Sequence, residues 1–253
     1  MDVTGRTEND PVADTLVRNI MSYVSTWKPG PSRPMIYVGD PAGKRHLQAA
    51  GISVNAYSKE LLTADAVVIV GPGGGKQLAG DCPDIAEWIK AGGRLLAIGL
   101  DEANANAILP TKVRMNKVEH IAAHFDAPRL GSPLAGVAPA DVHNRDPRLL
   151  DLVDDGATIL GNGVLAQSPG GNVVFCQIVP WHFDPTKAMN LKRTFRRIAC
   201  AVTRLAANLG AVSETPILTR FRSPVQQAER RWLNGLYLDV PEEWDDPYRF
   251  FRW

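Results

Sequence analysis

Five polar, hydrogen-bonding side chains fall within six positions at Asp141-Val142-His143-Asn144-Arg145-Asp146. Two carboxylates, an imidazole, an amide and a guanidinium at that density could grip sugar hydroxyls or orient a neighbouring chain's carboxylate. The same residue types also stitch a loop to itself, because Asp and Asn side chains bond readily to nearby backbone. Asp141, His143, Asn144, Arg145 and Asp146 are therefore the candidate substrate-binding residues, with a carbohydrate as the candidate ligand. Other chemistry-bearing groups fit their motifs less well. His120 and His124 stand four apart, a spacing that holds a metal from one helix face. However, Glu119-His120 reverses the order of a zinc-protease helix and no third ligand is close in sequence, so a structural or exposed pair is expected. Gly71-Pro72-Gly73-Gly74-Gly75-Lys76 suggests a phosphate cradle, but Gln77 stands where magnesium binding needs Ser or Thr. A dinucleotide fingerprint would need glycine where Lys76 stands. A tight strand-to-helix turn is the better reading. Cys82, Cys176 and Cys200 lie in or beside apolar segments without a Cys-x-x-Cys spacing and read as buried small hydrophobes. No metal and no cofactor is expected.

These residues must be held by an α/β framework. Ala66–Val70 is an apolar, β-branched run suited to a strand buried on both faces. The glycine turn follows, then a helix over Cys82–Lys90 with Ile85, Trp88 and Ile89 on one face. Gly92 and Gly93 end it. Leu95–Leu100 forms a second strand that turns at Asp101-Glu102 into another helix. Strand, helix, strand, helix is a parallel crossover, and ligands in such sheets lie beyond the carboxyl ends of the strands. Upstream, a strand at Met35–Val38, a helix at Lys44–Ala50 and a strand at Ile52–Tyr57 continue the alternation. Downstream, the sequence predicts a helix over Lys117–Phe125 and then a long loop through Asp155. Two strands follow, Thr158–Val164 and Asn172–Val179, and then a helix from about Pro185 to Asn208 with arginines on one side. The expected fold is a doubly wound, mostly parallel α/β sheet of the flavodoxin-like kind.

An amphipathic helix at 11–27 precedes this framework, and its surroundings partly echo the segment around Pro180–Val202. Residues 1–30 therefore read as an N-terminal helix that could close a preceding, similar domain. Residues 31–212 form the α/β domain and 213–253 a docking tail. In that tail Trp244, Tyr248, Phe250, Phe251 and Trp253, mixed with arginine and acids, have the make-up of buried interface anchors. With 28 basic and 27 acidic residues, nucleic-acid and anionic-membrane partners are not expected. No run of about eighteen apolar residues suggests a membrane span, and the first ten residues are too polar for a signal peptide. A soluble protein is expected, with its compartment open.

Two segments resemble the class I glutamine amidotransferases. In that family a strand feeds a sharp turn exposing a cysteine in the pattern Gly-Ile-Cys-x-Gly, and a late strand ends in Gln-x-His-Pro-Glu. This chain has Ile98-Gly99-Leu100-Asp101-Glu102 and Gln177-Ile178-Val179-Pro180-Trp181. The resemblance puts Leu100 at the nucleophile position, Val179 at the general base and Trp181 at its orienting carboxylate. Gly99, Leu100, Asp101 and Glu102 then form a degenerate nucleophile elbow, without a thiolate to attack an amide, so no catalytic residue is assigned. The phrases GRTENDPVA, GLDEANANA, ADVHNRDP, VVFCQIVPW and DDPYRFFRW further resemble the C-terminal region of bacterial proteins related to glycoside hydrolase family 2. That likeness extends to the trimerisation domain of β-galactosidases. It implies a non-catalytic domain for assembly or for shaping a sugar site, partnered by a glycoside hydrolase catalytic domain or subunit in a homo- or hetero-oligomer. Two alternatives remain: a carbohydrate hydrolase with a relocated site around Asp141–Asp146, and a carbohydrate-binding module using the aromatic tail.

Overall fold

The computed structural model describes residues 10–26, 28, 32–184, 186 and 189–211. The described residues fall into two compact units, divided between Ser32 and Arg33. Helix α1 (Pro11–Thr26) is the described element of the first. Asp10 caps it, its carboxylate accepting the Val12 amide at 2.9 Å, and Pro11 supplies the first helical residue. The apolar residues Ile20, Met21, Tyr23 and Val24 on this helix are exposed.

The second unit is built on one sheet. Strands β1 (Met35–Val38), β2 (Asn55–Ala56), β3 (Val67–Val70) and β4 (Arg94–Ile98) pair in parallel, in the order β2-β1-β3-β4. Beside β4 lies β9 (Val173–Cys176), also parallel, with Leu95 opposite Val173. Two antiparallel strands, β8 (Leu165–Gln167) and β7 (Thr158–Leu160), complete the seven. The fold is α/β, mostly parallel and doubly wound, and its parallel part has the flavodoxin-like strand order. Alternation along the strands builds a core on each face. Tyr37, Ile69, Leu96, Ile98 and Cys176 face α2 (Pro41–Ala49) and α6 (Met189–Leu209), whose Ile198, Val202 and Leu205 are fully buried. Ile36, Val68, Val70, Leu95 and Phe175 face the other way. There they meet α4 (Cys82–Lys90) through Ile85, Trp88 and Ile89, and α5 (Glu102–Ile108) through Ala105 and Ile108. Each such aliphatic side chain taken out of water contributes about 1.5–3 kcal/mol. Among the described residues no helix is long and apolar enough to cross a membrane.

The structure departs from the sequence expectations most between Pro110 and Asp155. The helix expected over Lys117–Phe125 is a strand, β5 (Arg114–His120). It pairs antiparallel with β6 (Arg148–Asp155), which lies in the stretch read as loop. The apolar spacing around Val118 fits a helix locally, but cross-strand pairs such as Val118 with Leu150 decide the outcome. The strand expected at Thr158–Val164 breaks at Leu160 because Asn162 and Gly163 take left-handed backbone in a single 3₁₀ turn. Only Asn55–Ala56 of the segment Ile52–Tyr57 is strand.

Candidate functional site

At the carboxyl edge of the sheet, turns after β1, β3, β4 and β9 converge. Between β1 and β3 the strand order reverses, which makes that point the expected ligand crevice. Here the Tyr37 side chain fills it. A Cβ on Gly39 would stand 2.6 Å from the Tyr37 hydroxyl and one on Gly71 2.5 Å; one on Gly43 would overlap it. The ring is thus seated beneath three glycines. Trp181 packs edge-on to Tyr37 at 6.4 Å and against His46 at 5.5 Å, and His46 meets Phe195 at 5.6 Å. Trp181 donates its indole N–H to Asp40 at 3.1 Å, and the other Asp40 oxygen accepts the Gly43 amide at 2.7 Å, capping α2. Trp181 therefore works as a clasp between two turns.

Neither the Tyr37 hydroxyl nor His46 Nε2 has a hydrogen-bond partner among the described residues. Burial, helped by the Asp40 charge nearby, raises the Tyr37 pKa, so the phenol stays protonated. Burial lowers the His46 pKa from 6.5 to about 4. Between those two values the unfolded chain binds a proton that the folded chain refuses. His46 therefore contributes stability above pH 6.5 that is lost as the pH falls towards 4. Urea midpoints measured across this range are expected to fall with pH. His46→Phe, which keeps the ring contacts, should make that slope shallower; an unchanged slope would refute the assignment.

The turn after β4 carries Gly99–Glu102, the residues read from the sequence as a degenerate nucleophile elbow. Its apex is Gly99, at φ +59°, not Leu100. A Cβ on Gly99 would run into Cγ2 of Val179. Leu100 turns instead into the opposite core layer, 2% exposed, and its carbonyl accepts the Gln177 side-chain Nε2–H at 3.0 Å. The residue facing Val179 thus has no side chain at all. Asp101 and Glu102 are structural: Asp101 caps α5 by accepting the Asn104 amide at 2.7 Å, and Glu102 accepts the Met115 amide at 2.8 Å. None of the three cysteines occupies this turn. Cys176 is fully buried and its thiol is pushed up to about 12 by burial, Cys82 donates to the Leu78 carbonyl, and Cys200 is exposed on α6. Cys82 is half-buried, so only Cys176 answers to the expectation of buried small hydrophobes.

The glycine turn serves close packing. A Cβ on Gly74 would lie 2.5 Å from the Val38 carbonyl, and Gln77 donates to the Gly39 carbonyl at 3.1 Å. The segment Asp141–Asp146 is brought together in space, yet most of its polar atoms serve the loop. Asp141 accepts the Ala138 amide. Asn144, with no exposed surface, donates to the carbonyls of Ile121 and His120 and accepts the Asp146 amide at 2.9 Å. Asp146 holds Arg148 with two N–H contacts at 2.9 and 2.6 Å, and Arg148 lies over Phe183. Arg145 joins α6 through backbone alone, its N–H to Thr194 and its carbonyl to Asn190. The His143 pKa is lowered, first by burial and then by Arg145 and Arg197. His120 is buried at the end of β5 and bonds the Val142 carbonyl at 2.8 Å, so it shares no helix with His124. Among the described residues no cluster of three metal-ligating side chains occurs. Trp244, Tyr248, Phe250, Phe251 and Trp253 lie outside the described residues.

A cleft of about 870 Å³ lies at the opposite, amino edge of the sheet, by Arg94 and Val173. Its amides bind the framework: Asn172 donates to the Ile89 and Gly93 carbonyls, and Asn208 to those of Pro133 and Ala135. Composition gave no signal for this cleft, because its walls come from six separate segments.

No protein-family model and no curated protein matches this chain. Among solved structures, the chain is similar to one described as the structure of PurLQS from Thermotoga maritima. The TM-score is 0.40 and the identity 13%, over 70% of this chain and 100% of that one.

Proposed function

We propose that this chain is a non-catalytic α/β domain acting by contact, serving assembly or site-shaping in a β-galactosidase-like glycoside hydrolase system. The observation that carries the non-catalytic part is the turn after β4. Its apex is the side-chain-free Gly99, closed over by Val179, so neither a nucleophile nor a proton acceptor is present there. The commitment of the Asp141, Asn144 and Asp146 side chains to their own loop supports it further, because a carbohydrate or glycosidic oxygen would have to displace those bonds. The glycoside-hydrolase part rests on the resemblance of the phrases around GLDEANANA and ADVHNRDP.

The test combines turnover with mixing. Purified chain is expected to hydrolyse neither glutamine nor aryl β-galactosides, and to co-elute with an added β-galactosidase-like catalytic domain. Galactoside hydrolysis by the isolated chain that Asp141→Ala abolishes would establish the relocated-site hydrolase instead.

A further inference from the structure

Strand β5 has one partner among the described residues, β6, and its other edge is open in the middle. Three contacts show which backbone groups face outward. The Met115 amide donates to Glu102 at 2.8 Å, and the Ile121 carbonyl accepts from Asn144 at 2.7 Å; both lie off the β6 side. Asp151, directly opposite Lys117, turns its carbonyl to the Gln177 side chain rather than to Lys117. Antiparallel ladders alternate, so Lys117 and Glu119, of the same parity, direct their N–H and C=O groups to the free edge. Residues 116–119 are all exposed, Val118 to 47%, and Ile121 beyond them is also 47% exposed. Glu102 and Asn144 close the two ends of this edge, and among the described residues its centre is unpaired.

We propose that this edge pairs with the same edge of a second copy, antiparallel about a two-fold axis through Val118. Three isologous registers, centred on Lys117, Val118 or Glu119, bring the free outward-facing groups of Lys117 and Glu119 towards the centre of the contact. Centring on Lys117 sets lysine against lysine, and centring on Glu119 sets glutamate against glutamate. Centring on Val118 places Lys117 of each copy opposite Glu119 of the other, Val118 on the axis, and Met115 opposite Ile121. That register alone pairs opposite charges, twice, at the positions that exchange backbone hydrogen bonds. The two ribbons then form one four-stranded sheet, a strand-addition contact in which backbone bonds give affinity and the charge pairs fix register. A lysine on an exposed edge ordinarily discourages pairing; here it is matched only by a copy of its own strand. This surface does not depend on the glycoside-hydrolase reading.

The test uses the full chain in sedimentation velocity across a dilution series, with amide exchange read residue by residue. Wild type is expected to dimerise, with concentration-dependent protection at Lys117 and Glu119 but not at Asn116 and Val118, already bonded to β6. K117E and E119K should each weaken the dimer by about tenfold or more, since each sets like charges opposite one another twice. K117E/E119K should recover it, and an equimolar mixture of the two single variants should form heterodimers. A wild-type monomer throughout the series would overturn the proposal. So would a dimer that K117E leaves intact with the Lys117 and Glu119 amides unprotected.

Discussion

Gly99→Ala is expected to lower unfolding free energy by about 2–5 kcal/mol, the largest effect of any one-methyl change at the carboxyl edge. Two causes add. The residue holds φ +59°, where an L side chain costs about 1–2 kcal/mol. The new Cβ also meets Val179 Cγ2 in a packed core, and such overpacking costs about 1–3 kcal/mol. Val179→Ala should therefore rescue the second cause and leave the first, so that G99A/V179A recovers part of the loss. Denaturant midpoints of the three variants measure this. A G99A midpoint equal to wild type would mean that the turn relaxes freely, and that a side chain could stand at its apex after all.

The second large effect lies at the seat of Tyr37. Gly43→Ala is expected to destabilise by about 1–3 kcal/mol even though alanine favours helix, because its Cβ would overlap the Tyr37 hydroxyl and crowd Trp181. Tyr37→Phe alone should be neutral or stabilising, since it removes a buried hydroxyl that has no well-aligned hydrogen bond and only the Asp40 carboxylate close to it. In combination the two changes should be less harmful than Gly43→Ala by itself. A Tyr37→Phe variant that loses more than about 1 kcal/mol would show instead that the hydroxyl is satisfied, for example by a bound water.

Much of the framework was legible because its signals are local. The run Val67–Val70, the glycine turn and the helix bearing Ile85, Trp88 and Ile89 each declare themselves within a few residues, and all appear as read. The ribbon of β5 and β6 was hidden because Val118 and Leu150 find each other only across the long connection between them. The same holds for the candidate site. Asp101 and the Asp141–Asp146 segment were visible as polar clusters, and short-range bonds explain most of their atoms. Residue types could not place Gly99 rather than Leu100 at the apex, since only backbone torsion distinguishes them. The seat of Tyr37 joins β1 to Trp181 across most of the domain, and no spacing rule reaches that far.

The position of β9 in the sheet has a consequence for biogenesis. This strand, at Val173–Cys176, lies beside β4 although five other strands and helices intervene in sequence. Until it emerges from the ribosome, β4 has an unsatisfied flank carrying Leu95, Leu96 and Ala97, and α6, which covers one face, follows later still. Nascent chains halted before β9 should therefore be sticky and protease-sensitive, and the domain should acquire its cooperativity late in synthesis rather than strand by strand.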